Sequence, residues 1–144
     1  MTPETIFSLT SGLAGLAWIF LICGARCLPK AFRVVRYALP VILGLVYLIC
    51  LSLAGSVEGG GFSSLKEVGS LFQNDWALLA GWIHYLAFDF FIGCWILNTA
   101  KKEEINHYLI IIPMILTFML GPAGLLLFLI IRGWKNRRLI TKRS

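Results

Sequence analysis

His84, Tyr85 and Asp89 lie within six positions of one another in the middle of a long apolar stretch, Trp76 to Ala100, whose only charged residue is Asp89. An imidazole, a phenol and a carboxyl can between them give, hold and take a proton, which is what acid/base chemistry requires. A central Asp costs about 2.5 to 3.5 kcal/mol to insert into a membrane, so an ionisable group at that depth is read first as functional. The plainer account is that such groups hydrogen-bond helices together, with Gly81 and Gly93 permitting close approach. Tyr85 alone fits that account, whereas His84 and Asp89 together favour chemistry.

Helical geometry divides the three residues. Tyr85 and Asp89 are four positions apart and share a face, while His84 stands about 140° round from Asp89 and about 7.5 Å along the axis. A direct bond from His84 to Asp89 within one straight helix is therefore not expected, and a neighbouring helix or a ligand must join them if they act together. The other apolar stretches offer hydroxyls as partners: Ser8, Thr10, Ser11, Tyr47, Ser52 and Thr117. None offers a Lys or Arg, so the Asp89 carboxyl is expected in its neutral form, able to donate a proton.

The elements that position these groups follow from composition. Of the 144 residues 58% are hydrophobic and only 14% charged, with a mean hydropathy of +0.82. So much apolar surface belongs in a bilayer. Four stretches reach the roughly 20 apolar residues that a crossing needs: Thr5 to Ala25, Tyr37 to Val57, Trp76 to Ala100 and Ile105 to Ile131. No period-two pattern of a barrel is present, and backbone polar groups in lipid must pair internally. The expected fold is all-α: a polytopic membrane protein with one domain over residues 1–144, a bundle of four transmembrane helices near 5–25, 37–57, 76–98 and 106–132, and a basic tail over 132–144. The first stretch lacks a basic segment ahead of it, carries Glu4, and is followed by Arg26, Lys30, Arg33 and Arg36. It reads as a retained helix and not a signal peptide. With no Arg- and Ser-rich presequence, the simplest home is a bacterial inner membrane.

Between the second and third stretches, Gly59-Gly60-Gly61 breaks regular structure, and Leu65, Val68, Leu71 and Phe72 recur at helical spacing. That pattern predicts a short amphipathic helix lying on the membrane surface, as an anchor or as a lid. Basic residues cluster after the first stretch, at Lys101 and Lys102, and in the tail at Arg132, Lys135, Arg137, Arg138, Lys142 and Arg143. With four crossings these clusters fall on both sides, and the positive-inside rule does not choose between them. A re-entrant hairpin broken at Gly121-Pro122 would instead put every basic residue but Lys66 on one side. Either way Pro122, having no amide hydrogen, leaves the Phe118 carbonyl without its helical donor at about the depth of His84 and Asp89. A side chain, a water or a ligand must supply one.

Other chemistries find little support. Cys23 and Cys27 share a face, but Cys50 and Cys94 have no matching spacing, so plain packing is expected and no metal site. His84 and His107 differ too much in depth to ligate one haem. Phosphate-binding glycine loops and Ser-His-Asp sets are missing, no cofactor is implied, and the basic tail reads as attraction to anionic membrane lipid, not to nucleic acid.

Two blocks resemble the ABA-deficient-four-like family, small membrane proteins that include plant proteins required for neoxanthin formation. One is Asp75 to Gly93, DWALLAGWIHYLAFDFFIG; the other is His107, Pro113, Thr117-Phe118 and Gly121-Pro122-Ala123-Gly124-Leu125-Leu126-Leu127. The resemblance implies handling of a carotenoid or another isoprenoid, in the plant relatives the isomerisation of an epoxide to an allene. Such a reaction needs an acid to open the epoxide and a base to take a proton from the polyene. Asp89 is nominated as acid, His84 as base, with the roles exchangeable, and Tyr85 as the residue orienting one of them. Trp82, Phe88, Thr117, Phe118, Gly121 and Pro122 are nominated to line the lipophilic ligand. A bundle this small is short for a long polyene, which would lie partly in lipid or between the protomers of a homo-oligomer. Two rivals remain open: a non-catalytic protein that binds a lipophilic ligand or assists assembly, and a proton-coupled transporter.

Overall fold

The structure is a computed structural model that describes residues 2–141, with side chains over 2–135. Lys142 and Arg143 of the basic tail lie outside the described residues. Those residues form six α-helices and one π-helical turn, with no strand among them.

Helix α1, Pro3–Ile19, begins where the Thr2 hydroxyl accepts the Thr5 amide and a proline occupies the first turn, both strong start signals. It runs on through a π-helical turn, Phe20–Gly24. Helix α2, Pro29–Ala54, starts eight residues before the apolar stretch, because Pro29 is preset for a first helical turn while Lys30, Arg33 and Arg36 hide that turn from a hydropathy reading. Helix α3 is short, Leu65–Leu71. The Ser64 hydroxyl caps it by accepting the Glu67 amide, and the Glu67 carboxylate accepts the Ser63 amide. Helix α4, Asp75–Lys102, is capped by Asn74, whose side-chain oxygen accepts from Trp76 and Ala77, and it ends on Lys101 and Lys102, favourable at a helix C-terminus.

Helix α4 is the centre of the molecule, since α1, α2, α5 and α6 all pack on it. In lipid there is no hydrophobic drive between helices, so close van der Waals fit must hold them. The buried Trp18 of α1 supplies that fit. Its ring meets Phe90 edge-on at 6.0 Å and lies so near Gly93 that an added Cβ would come within 2.5 Å of it. The α1 unit with its π turn, α2 and α4 are each long and apolar enough to cross a membrane. Their outward side chains, such as Leu16, Val34 and Leu45, are apolar and exposed.

Residues 106–132 do not form the single helix expected. They form α5, His107–Leu120, and α6, Pro122–Thr141, with Gly121 between them at φ +44° and ψ −94°. Pro122 ends α5 by removing a donor and crowding the carbonyl four residues back, and glycine adopts the left-handed turn at little cost. The chain reverses there. Gly124 lies against the backbone of Thr117 and Pro113, where an added Cβ would overlap the Thr117 nitrogen and the Pro113 oxygen. At the far end, Arg132 of α6 returns to Glu103, which precedes α5. Its Nε donates to both carboxylate oxygens at 2.9 Å and its Nη2 to Oε1 at 2.5 Å, while Lys135 donates to the Glu103 carbonyl. The two arms thus make a hairpin, and its tip reaches Asp89, midway along α4.

The reversal gathers charge. Arg26, Lys30, Arg33, Arg36, Lys101, Lys102, Arg132 and Lys135 all stand at one end of the bundle, and Lys66 alone of the described Lys and Arg side chains stands at the other.

Two outcomes follow from the hairpin. Gly124→Ala is expected to cost about 1 to 3 kcal/mol through overpacking. Gly44→Ala, whose methyl meets nothing within 4 Å, leaves thermal unfolding in detergent unchanged or slightly later. Equal unfolding temperatures for the two variants would rule out the close contact of α5 with α6. The hydrogen bonds from Arg132 hold the Glu103 carboxyl below its ordinary value of 4.5, against a smaller opposing effect of burial. A depressed carboxylate contributes stability that is complete above 4.5 and is lost as pH falls through the lower folded value. Amide protection over residues 125–135, taken against the intrinsic exchange rate at each pH, should therefore fall across that acid range in the wild type, and be low and flat across it in Glu103→Gln. Superimposable profiles would deny the pair a role in holding α6.

Candidate functional site

The hairpin tip and the middle of α4 meet at a buried carboxyl. Asp89 is 7% exposed, and Gly121 is pressed against it so closely that a Cβ there would lie 2.8 Å from Oδ1 and 3.2 Å from Oδ2. Oδ2 is buried with no hydrogen-bond partner among the described residues. A buried polar atom without a partner is costly, and in a native site it marks a place where a ligand, water or proton belongs.

One turn before Asp89, on the same face, the Tyr85 hydroxyl donates to the Phe118 carbonyl at 2.8 Å. This is the carbonyl that Pro122 deprives of a helical donor, and Tyr85 is the side chain that supplies one. A further turn towards the start of α4, the Trp82 ring lies 5.4 Å from Tyr85, and 5.4 Å from Phe7 of α1 on the other side. Trp82 Nε1 donates to the Ser11 hydroxyl at 2.9 Å, which fixes the indole. Phe7, Trp82 and Tyr85 thus form an aromatic file leading from one end of the bundle to Asp89. At that end a crevice of about 290 Å³ opens between α1 and α4, beside Phe7 and Trp82.

The structure therefore brings Tyr85, Asp89, Phe118 and Gly121 together, with Trp82 next to them. His84 and Phe88 stand elsewhere. The His84 ring is exposed, stacks on Phe88 at 4.5 Å and lies 6.0 Å from Tyr47 of α2. Thr117 is fully buried, but its hydroxyl turns back to the Pro113 carbonyl at 2.8 Å, and its backbone forms the seat for Gly124. Pro122 is exposed at the tip. Of the hydroxyls open as partners, Ser8, Thr10 and Ser52 bond carbonyls of their own helices, as Thr117 does, and Ser11 goes to Trp82. None reaches Asp89.

Two residues gain roles that spacing does not announce. Trp18 closes the site from the α1 side, its ring 5.4 Å from Phe118. His107 ties the start of α5 to the π turn that follows α1, with Nε2 2.9 Å from the Ile22 carbonyl. A carbonyl can only accept, so Nε2 carries the hydrogen. Apolar periodicity could not single out Trp18, since nearly every residue of α1 is apolar. Among the described residues no three His, Cys, Asp or Glu side chains converge as metal ligands.

No curated protein and no solved structure matches the chain. The ABA DEFICIENT 4-like family matches residues 5–128, from the first turn of α1 to Phe128 in α6, and so takes in the aromatic file, Asp89 and the whole hairpin tip. The protein is a member of the ABA DEFICIENT 4-like family.

Proposed function

We propose that this membrane protein acts on a carotenoid or other isoprenoid by acid/base isomerisation, opening an epoxide and forming an allene, with Asp89 as the group that moves the proton. The observation that carries the reading is the unpartnered Oδ2 of a buried carboxyl at the hairpin tip; family membership supports the substrate class. In its neutral form the carboxyl donates its proton to the epoxide oxygen as the carbon–oxygen bond opens. One carboxylate oxygen then takes the proton from the adjacent polyene carbon, whose C–H electrons complete the allene. The proton count balances and the acid is restored. Tyr85, already engaged with the Phe118 carbonyl, holds the tip against Asp89 and is a positioning residue.

His84, nominated from sequence as the base, is turned about 140° from Asp89 by helical geometry and stacks on Phe88. The base in this reading is therefore Asp89 itself. The end group of the ligand reaches Asp89 past Phe7 and Trp82, and the rest of the polyene lies in lipid or against a second copy of the chain.

The same reading gives the protein three crossings and a re-entrant hairpin. Helix α5, at 14 residues, is about 21 Å long against a hydrocarbon core of about 30 Å. Its tip is buried against α4, as non-spanning backbone at that depth requires. The positive-inside rule puts the basic end in the cytoplasm, here the cytoplasm of a bacterium. Helix α3 then lies at the opposite surface, where Phe62 and Leu65, each about nine-tenths exposed, enter the lipid.

Two measurements test these statements. In wild type reconstituted with an epoxy-carotenoid, product is expected; Asp89→Asn should lower turnover about a hundredfold or more, while His84→Ala should stay near wild type. Full turnover in folded Asp89→Asn would sink the mechanism. Bound pigment without product in wild type would make the protein a binder. Reporters fused to the two ends should lie on opposite faces of the membrane, the C-terminal one in the cytoplasm. Reporters on the same face would restore four crossings.

A further inference from the structure

A second site lies at the basic end, away from Asp89. The turn that follows the π-helical segment, the first turns of α2, the end of α4 and the start of α5 line a cavity of about 790 Å³. Arg26, Arg33, Arg36, Lys101, Asn98 and His107 contribute to its wall, and Glu104 is the one carboxylate there. We propose that this cavity binds a phosphate group, as the head group of an anionic membrane lipid.

Three observations lead there. First, four cations face one space with a single carboxylate to offset them, and Glu104 makes no ion pair among the described residues. The cation that closes the hairpin is neutralised, Arg132 by the Glu103 carboxylate. Those of the cavity are not, and their mutual repulsion is relieved by an anion.

Second, polar groups are held ready. Arg36 is fixed by its Nη2 donating to the Tyr37 hydroxyl at 2.8 Å and by its guanidinium lying 4.4 Å over the Tyr37 ring. Its buried Nε has no partner among the described residues. His107 is held through Nε2–H by the Ile22 carbonyl, so in the neutral ring its buried, unpartnered Nδ1 is an acceptor, suited to the hydroxyl of a singly protonated phosphate. A preset guanidinium suits the several acceptor oxygens of a phosphate, and the imidazole acceptor suits its hydroxyl.

Third, the cavity walls include Phe32, Leu97 and Ile105. It also sits where three apolar helices end, at the depth of lipid head groups, and acyl chains could run along those helices from a phosphate held there. A general positive-inside signal asks only for exposed cations, which Lys30 supplies without lining the cavity.

The test uses the full chain, purified gently, with retained lipid read by native mass spectrometry. The probes are phosphatidic acid, diacylglycerol, which has the same chains and no phosphate, and inorganic pyrophosphate. Wild type should hold phosphatidic acid over diacylglycerol. Arg33→Gln and Arg36→Gln, each checked for an unchanged unfolding temperature, should weaken that hold roughly tenfold, and Lys30→Gln should not. Pyrophosphate bound with the same variant pattern, and phosphatidic acid ignored, would support the phosphate site and assign it a water-soluble ligand. Equal loss in Lys30→Gln, or no preference for either phosphate probe, would overturn the proposal. Arg33→Gln keeps the test decisive if Arg36→Gln fails to fold.

Discussion

A backbone carbonyl inside hydrocarbon must have a donor, and the hydrogen bond from Tyr85 to Phe118 is where this chain meets that demand. The hairpin depends on it. Pro122 ends α5 and frees a carbonyl at mid-depth, and Gly121 turns the chain. Gly124 lets the return arm lie on the outgoing one, and Arg132 closes the open end onto Glu103. Without the phenol on α4, the Phe118 carbonyl at the tip would be left without a donor. That phenol is also one turn from Asp89, so the residue that makes the tip possible is the one that brings the tip to the carboxyl.

Much of this was legible in the sequence, and the reasons differ from element to element. Hydropathy found α1, α2 and α4 because a chain this short has no water-soluble core large enough to hide apolar runs of that length. The missing amide of Pro122 announced a break and a carbonyl in need of a donor, and the four-residue spacing put Tyr85 and Asp89 on one face. The direction of the chain after Gly121 was not legible. Both arms are apolar, and a reversal within lipid needs no polar turn to advertise it, so hydropathy reads the same for one long helix and for a hairpin. What decides is the seat of Gly124 on Thr117 and Pro113, a contact between residues far apart along a straight helix. The early start of α2 was hidden by its cationic first turns. The outward stacking of His84 on Phe88 was hidden because α4 is apolar on every face and periodicity names no inside.

The same reversal sorts the charges. A crossing by residues 105–131 would have divided the basic residues between two surfaces; a return at Gly121 collects them at one. There the chain treats them in two ways. The Glu103 carboxylate neutralises Arg132 and its backbone carbonyl accepts from Lys135, which fastens α6, while the cations around the cavity are left with one carboxylate among four. The difference separates charge that serves the fold from charge open to a ligand.

The hairpin's limited reach has a consequence for the membrane itself. Five helices, α1, α2, α4, α5 and α6, stand in the half of the bundle beside the cations, and only α1, α2 and α4 continue through the other half. With the proposed three crossings and re-entrant hairpin, the protein would be a wedge, broad in one leaflet and narrow in the other. Lipids of the narrow leaflet would then fill the room beneath the tip, beside Trp82 and Phe7, and every copy inserted would displace the two leaflets unequally. A tapered body of that kind sits best where the bilayer bends around it, and copies gathered together would add their tapers and favour curvature of one sign.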